Sequence, residues 1–406
     1  MQIAPARTTG GRRGMAFLVS AVSVSNLADG IGKTAFPLLV ASMTRDPLVI
    51  GALSAVAFVP WLLFSMATGV LLDRVDRKKA LVTANLARAG VIGGLAVLIG
   101  VDAAAIWVVF VAALLVGTAE TVADSAGNVL IPSVAGRDRL DRANGQVQAA
   151  EVLGQAFLGP LAGSLTFAVF AAFPFLLNSV GFALAAVLLV GIAGAHRPVH
   201  LPGPRQKTNP ARWLRTSPLI LRLMLIAAAI SLTSELAVNQ LVLYVLEDLH
   251  LTESMFGVFA AASGVGGLLG AAAAPRLLTR IPRRTVLIAG IGLTGASFTA
   301  MGLTSEAAVG ATLFGTFALA VVAINVVIAT ARHLAVPDGL LGRVLGVWRT
   351  VVWGAIPVGA LLGGVLTHLL GSPSATFLVS GVLLLTVCAL AIPALRPFTK
   401  DLRAED

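Results

Sequence analysis

Apolar residues run through this chain in long blocks, separated by short clusters of polar and charged positions. A helix rises 1.5 Å per residue, so about 20 apolar residues cross a hydrocarbon core of about 30 Å. Stretches of roughly that length fall at 15–40, 49–72, 80–100, 104–126, 143–167, 174–195, 218–244, 255–274, 285–302, 308–331, 344–369 and 375–395. The pattern predicts an all-α membrane protein with twelve transmembrane helices. The connections at 44–48, 101–102 and 372–374 are so short that the spans they join must run antiparallel. The longest connection carries Pro198, Pro202, Pro204 and Pro210 among basic residues and reads as a linker. The expected organisation is a six-helix half at 1–195, a cytoplasmic linker at 196–217 and a second six-helix half at 218–406.

Positive charge orients the spans. Of the 29 Lys and Arg residues, all but Lys33 and Arg45 fall in alternate connections, with Arg88 grouped beside Arg74, Arg77, Lys78 and Lys79. Basic residues mark cytoplasmic loops, so the chain is expected in an inner (cytoplasmic) membrane with both termini in the cytoplasm. A hydrophobic fraction of 57% against 12% charged residues excludes an ordinary soluble domain. A net charge of +10 would suggest nucleic acid in a soluble protein. Here it follows from topology, and no nucleic-acid partner is expected. The basic start followed by Met15 to Val24 mimics a signal peptide but continues as a membrane span, so it is expected to be retained. Cys388 is the only cysteine, so no intrachain disulfide is available.

The two halves repeat. Asp73 to Leu81 aligns with Thr279 to Leu287 at an offset of 206, and Gly159-Pro160-Leu161-Ala162-Gly163 aligns with Gly359-Ala360-Leu361-Leu362-Gly363 at an offset of 200. Parallel six-helix repeats about an axis along the membrane normal are a transporter architecture, with the site between the halves near mid-membrane.

Gly69-Val70-Leu71-Leu72-Asp73-Arg74-Val75-Asp76-Arg77-Lys78 resembles the signature G-x-L-x-D-R-x-G-R-K of the major facilitator superfamily at every fixed position except Asp76. The D-R-x-D-R form, Asp29-Gly30 in the first span and Arg142-Ala143-Asn144 opening the fifth resemble the macrolide-efflux and enterobactin-exporter branch of drug:proton antiporters. The resemblance covers essentially the whole chain and implies the major facilitator fold. Gly69 lets a neighbouring helix approach closely. Asp73 and Arg77 can form an ion cluster with Asp124 that latches one orientation, beside Arg74 and Lys78 of the same motif. A basic turn that only fixes topology is the plainer alternative. In the fifth span Gly145, Gly154, Gly159-Pro160 and Gly163 resemble the antiporter motif of the superfamily's exporters. The second spacing is one residue longer than in that motif, and Ser164 replaces a final Gly. Gly-Pro in a membrane helix frees backbone groups and permits a bend; ordinary small-residue packing is the alternative.

Each ionisable group in hydrocarbon costs at least about 2.5–3.5 kcal/mol on insertion scales, so those present need a reason. They fall at Asp29 and Lys33 in the first span, Glu120 and Asp124 in the fourth, Glu151 in the fifth and Glu235 in the seventh. The central turns of the third, sixth, ninth and twelfth spans are read as free of charge. This matches the resemblance, which implies that the first, fourth, seventh and tenth spans line the cavity. Asp29 and Lys33 are one turn apart and can pair, with Asn26 a turn earlier. Asp29 is the first choice for a proton-carrying acid; a static partner for Lys33 is the other reading. Glu120 and Glu151 are expected at similar depth, as a second protonation site or as tethers between spans. Glu235, Asn239 and Asn325 offer polar contacts from the second half.

Gly30-Ile31-Gly32-Lys33-Thr34 ends in G-K-T, but a phosphate loop needs Gly where Leu27 stands and a strand before it. No catalytic motif appears, and neither cofactor nor metal is called for. The expectation is a proton-coupled secondary exporter of an amphipathic small molecule (a drug, antibiotic or siderophore), acting as a monomer by alternating access. Phe36, Trp61, Phe157, Tyr244, Trp348 and Trp353 are candidates for its cavity wall. An importer, a lipid flippase and a non-transporting receptor are the alternatives.

Overall fold

The computed structural model describes residues 10–72, 74–135, 140–192, 194 and 210–396. Every regular element among them is helical. In the first half these are α1 (Gly10–Met43), α2 (Pro47–Leu72), α3 (Arg77–Gly100), α4 (Ile106–Ala135) and α5 (Leu140–Glu151). α5 continues through a π-helical segment, π1 (Val152–Leu158), into α6 (Gly159–Val169), and α7 (Phe173–Val190) follows. After the short α8 (Pro210–Thr216) come α9 (Pro218–Val238), α10 (Leu241–Leu243) and a second π segment, π2 (Tyr244–Asp248). The chain ends with α11 (Glu253–Leu278), α12 (Arg283–Met301), α13 (Ala307–Ala335), α14 (Asp338–Leu370) and α15 (Pro373–Ala394).

Twelve of these helical runs are long and apolar enough to cross a membrane, each overlapping a stretch read from the sequence. A helix satisfies its own backbone groups, which lipid cannot do for it. Large apolar side chains point outward, with Trp107, Val169, Leu303 and Leu369 all at least 70% exposed, a surface that suits lipid and not water.

The described helices fall into two compact units, divided at 36/37, 58/59 and 201/202. Residues 37–58, the end of α1 and the first half of α2, therefore group with the second unit, a crossing that the division at the linker did not anticipate. Small residues explain the grouping: a Cβ on Gly51 would lie 2.5 Å from the Ala360 carbonyl oxygen, and one on Gly364 2.6 Å from that of Pro47. Gln240 Nε2 also donates to the Pro47 carbonyl at 3.3 Å. Residues 196–209 of the expected linker lie outside the described part.

In the first unit α3 packs on α4 and α7, around a core that includes Leu18, Leu81, Ala126, Leu130 and Leu189. In the second, α9 packs on α14 and α15, and α12 on α13 and α15. Tyr244, Phe298 and Phe377 are fully buried there, with ring centroids 4.7 Å (Tyr244 to Phe377) and 5.3 Å (Phe298 to Phe377) apart. The sequence repeat is realised in packing. A Cβ on Gly159 would lie 2.5 Å from Gly30 of α1, and one on Gly163 2.9 Å from the Ile31 carbonyl oxygen. In the second unit Gly359 and Gly363 of α14 press in the same way against the carbonyls of Leu232 and Leu236 on α9.

Candidate transport site: a buried charge cluster in the first unit

Arg88 sits at the middle of α3, eleven residues after Arg77 and twelve before Gly100. Counting it with the cytoplasmic basic cluster was therefore wrong, as was reading the third span as uncharged at its centre. The side chain is 2% exposed. Its Nη1 donates to Asp29 Oδ1 of α1 at 2.9 Å, and its Nη2 to Asn85 Oδ1 at 2.8 Å and Ser25 Oγ at 3.1 Å. The guanidinium lies 4.0 Å from the centroid of the Phe182 ring of α7. Asn85 is held in turn by its Nδ2 bond to the Leu81 carbonyl at 3.0 Å. A buried guanidinium needs this enclosure, because its charge cannot be lost and its donors need partners.

The expected pair of Asp29 with Lys33 is thus not formed. An i,i+4 spacing permits contact, but the fixed fork of Arg88 supplies a better partner across the helix interface. Lys33 turns away, its side chain 53% exposed, with Nζ 2.6 Å from Gln155 Oε1 and 3.7 Å from Glu120 Oε1. Gln155 passes the chain on, donating from Nε2 to Asn26 Oδ1 at 2.6 Å, and Asn26 Nδ2 donates to the Val22 carbonyl at 2.9 Å. Among the described residues Glu120 is the carboxylate within ion-pair distance of Lys33; Asp29 lies one turn before Lys33 on α1, Asp124 one turn after Glu120 on α4, and Glu151 one turn before Gln155. Four acids and two bases, Lys33 and Arg88, thus occupy one region of the first unit.

The π1 segment positions Gln155. Gly159 N–H reaches five residues back to the Gly154 carbonyl, so this turn holds one residue more than an α-turn. The fifth span has one residue more than the antiporter motif in the same interval, and the wide turn absorbs it. Gly154 and Gly159 both keep facing α1, where a Cβ on Gly154 would stand 2.8 Å from Leu27 N. Pro160 sits in the first turn of α6, where it has no hydrogen to donate.

Residues 10–406 match the family model described as transmembrane secretion effector. The chain belongs to that family, a branch of the major facilitator superfamily. Family relatives include the multidrug efflux pump Tap of Mycobacterium tuberculosis, 26% identical over 402 residues that cover 95% of this chain and 94% of Tap. The enterobactin exporter EntS of Citrobacter koseri is 25% identical over 366 residues, covering 86% and 83%. Among solved structures, a bacterial homologue of the human lysosomal transporter Spinster superposes with a TM-score of 0.76 at 13% identity, over 99% of this chain and 100% of that one. A bacterial homologue of the iron transporter ferroportin gives 0.71 at 17% identity, over 95% and 100%. The chain is a multi-pass membrane transporter of the major facilitator fold.

The other residues singled out in the secretion-effector sequence are distributed as follows. Asp73 of the signature motif and the side chains of Arg142 and Asn144 lie outside the described residues. Gly69 lies in α2 and Arg74 in the exposed turn after it. Asp76, the one departure from the signature, is the N-cap of α3, accepting from Lys78 N at 2.9 Å and Lys79 N at 3.2 Å. Lys78 Nζ donates to the Val190 carbonyl at 2.9 Å and that of Ile192 at 2.5 Å, satisfying the open C-terminal end of α7. Its repeat counterpart Arg284, 206 residues on, donates to the Ile392 carbonyl at the end of α15 at 2.9 Å. Among the described residues Asp124 and Arg77 make no ion pair. Glu151 Oε2 accepts from Gln148 Nε2 at 3.3 Å.

In the second unit Glu235 Oε2 accepts from Asn239 Nδ2 at 2.6 Å, beside Gly359. Asn325 is exposed on α13. Two aromatic candidates for the cavity wall are core residues instead. Tyr244 is fully buried and donates to the Met301 carbonyl at 2.9 Å, and Trp348 is 5% exposed beneath the Arg332 guanidinium at 4.5 Å. Only one signal pointed to Arg88, its place inside an apolar stretch, and the nearby basic cluster masked it.

Proposed function

We propose that this protein is a proton-coupled exporter of cationic or neutral amphipathic small molecules, working by alternating access in the cytoplasmic membrane with both termini on the cytoplasmic side. The observation that carries the reading is the acid excess around Lys33, placed on helices that cross the membrane. Carboxylates in such a setting can hold either a proton or a substrate cation, and that competition couples the two fluxes. Similarity to a multidrug efflux pump and an enterobactin exporter supports the outward direction and leaves drugs, antibiotics and siderophores as substrate classes. The glycines of the fifth span, packed against α1, offer a joint on which that helix pair can bend.

Inside-out vesicles containing the protein test this directly. Acidifying their interior should drive uptake of a cationic dye or a macrolide, and a proton ionophore should abolish it. Gradient-driven movement in the opposite direction would make the protein an importer. Translocation of a labelled lipid without any small-molecule flux would make it a flippase.

A further inference from the structure

The two cations of the cluster are held in opposite ways, and this separates the acids by role. Arg88 cannot move or lose its charge. It is 2% exposed, bonded to Asp29, Asn85 and Ser25, and covered by Phe182. Protonating Asp29 would deprive that buried guanidinium of the one carboxylate bonded to it, which is heavily disfavoured. Lys33 is the reverse case. It is half exposed, its nearest partner is the neutral Gln155, and its distance of 3.7 Å to Glu120 is well beyond a close charge-assisted bond. Glu120 is the carboxylate within ion-pair distance of Lys33 among the described residues, with Asp124 one turn further along α4 and Glu151 one turn before Gln155. The charged groups of the cluster are Asp29 and Lys33 from α1, Arg88 from α3, Glu120 and Asp124 from α4, and Glu151 from α5.

We propose that Asp29 and Arg88 form a permanently charged positioning pair, and that protons are exchanged for a cationic substrate at Glu120, Asp124 and Glu151 around Lys33. This rests on the proton-coupled reading and reassigns its acid. The pair fixes the face of α1 against α3, so that one turn later Lys33 points at Glu120 and at Gln155 in the wide turn of π1. A substrate amine takes the place of a proton on a carboxylate of this group, one proton leaving for each positive charge bound. Lys33 swings aside on its flexible stem. The charge balance of the site is the same in both states, and Asp29 keeps its charge throughout.

Paired neutralisation decides between the acids, once wild-type protein shows gradient-driven transport; its absence in wild type would refute the coupled reading itself and not this assignment alone. Asp29→Asn and Arg88→Gln each leave one buried charge alone and should lower export at least tenfold per inserted molecule. The double variant Asp29→Asn/Arg88→Gln removes both charges and should recover at least a third of wild-type export, still abolished by an ionophore. A proton carrier cannot be rescued in this way, so a stable, substrate-binding double variant that remains uncoupled overturns the proposal. The second readout does not depend on that variant folding. Proton release on substrate binding, followed with a pH dye on purified protein, should fall at least twofold in Glu120→Gln or Asp124→Asn. The pH midpoint of substrate binding should shift in the same variants. Full release and an unshifted midpoint in these two and in Glu151→Gln alike would return the role to Asp29.

Discussion

At the scale of single residues, contact distances separate side chains that the sequence treats alike. Gly159 and Gly90 both lie in apolar spans. A methyl group on Gly159 would meet the backbone of Gly30, whereas nothing lies within 4 Å of one on Gly90. Gly159→Ala should therefore destabilise the protein by about 1–3 kcal/mol, the usual cost of overpacking. Gly363→Ala in the second unit should behave in the same way, and Gly90→Ala should be neutral. Thermal unfolding in detergent, compared across the three, checks this; equal behaviour would remove close helix approach as the role of the repeated glycines. Tyr244→Phe deletes only the hydroxyl bonded to the Met301 carbonyl and leaves the ring in its aromatic cluster. Its expected cost is about 0.5–1.5 kcal/mol in the same assay, with export unchanged. Tyr244 looked like a cavity residue because a lone tyrosine in an apolar span is equally suited to lining a cavity and to satisfying a buried carbonyl.

Elements carry a second class of information. The π1 turn holds one residue more than an α-turn, so removing one residue should restore a regular helix without rotating α6 away from α1. Deletion of Ala156 is therefore expected to give a folded, inserted protein, whereas deletion of Ala96 in the regular α3 should not, since it rotates every following residue by about 100°. The Ala156 deletion should still lose most export, because Gln155 no longer bridges Lys33 and Asn26. Insertion yield and vesicle transport read the two effects separately; a misfolded Ala156 deletion would mean that the wide turn is not a tolerated insertion. The two terminal clamps test the repeat. Lys78→Ala and Arg284→Ala each free carbonyls at a helix end, and both should lower the unfolding temperature by a similar amount. The motif containing Lys78 was read as part of a gate, and this residue at least has the local task of closing the end of α7.

The orientation proposed for the whole molecule rests on charge gathered in alternate connections and at the helix ends beside them. With Arg88 removed from the cytoplasmic count, the alternation of basic connections still stands, because one buried arginine among so many leaves the bias intact. An alkaline phosphatase fused after Ser372 is expected to be active, and one fused after Arg403 inactive. The reverse result would invert the topology proposed for the chain. The division into two units follows packing and not chain order. The end of α1 and the first half of α2 group with the second unit, and α2 packs through Gly51 and Pro47 against α14, although six-helix halves were read on either side of the linker. No local pattern announces such a crossing, because a glycine in a span does not name the helix that approaches it.

The sequence alone determined the class of protein, the count and bounds of the spans, the internal repeat and the family resemblance. Each of these rests on a one-dimensional quantity, such as apolar length, loop charge or the recurrence of a motif at a fixed offset. The tertiary structure decided which charges meet. Asp29 has Lys33 within reach on its own helix and Arg88 across an interface, and an ion pair goes to the partner that is buried, rigid and better bonded. That choice depends on how α3, α1 and α7 pack, which periodicity along one helix does not encode. The same holds for the wide turn in the fifth span: the sequence shows one residue too many, and only the helix packed against it fixes where the extra residue goes.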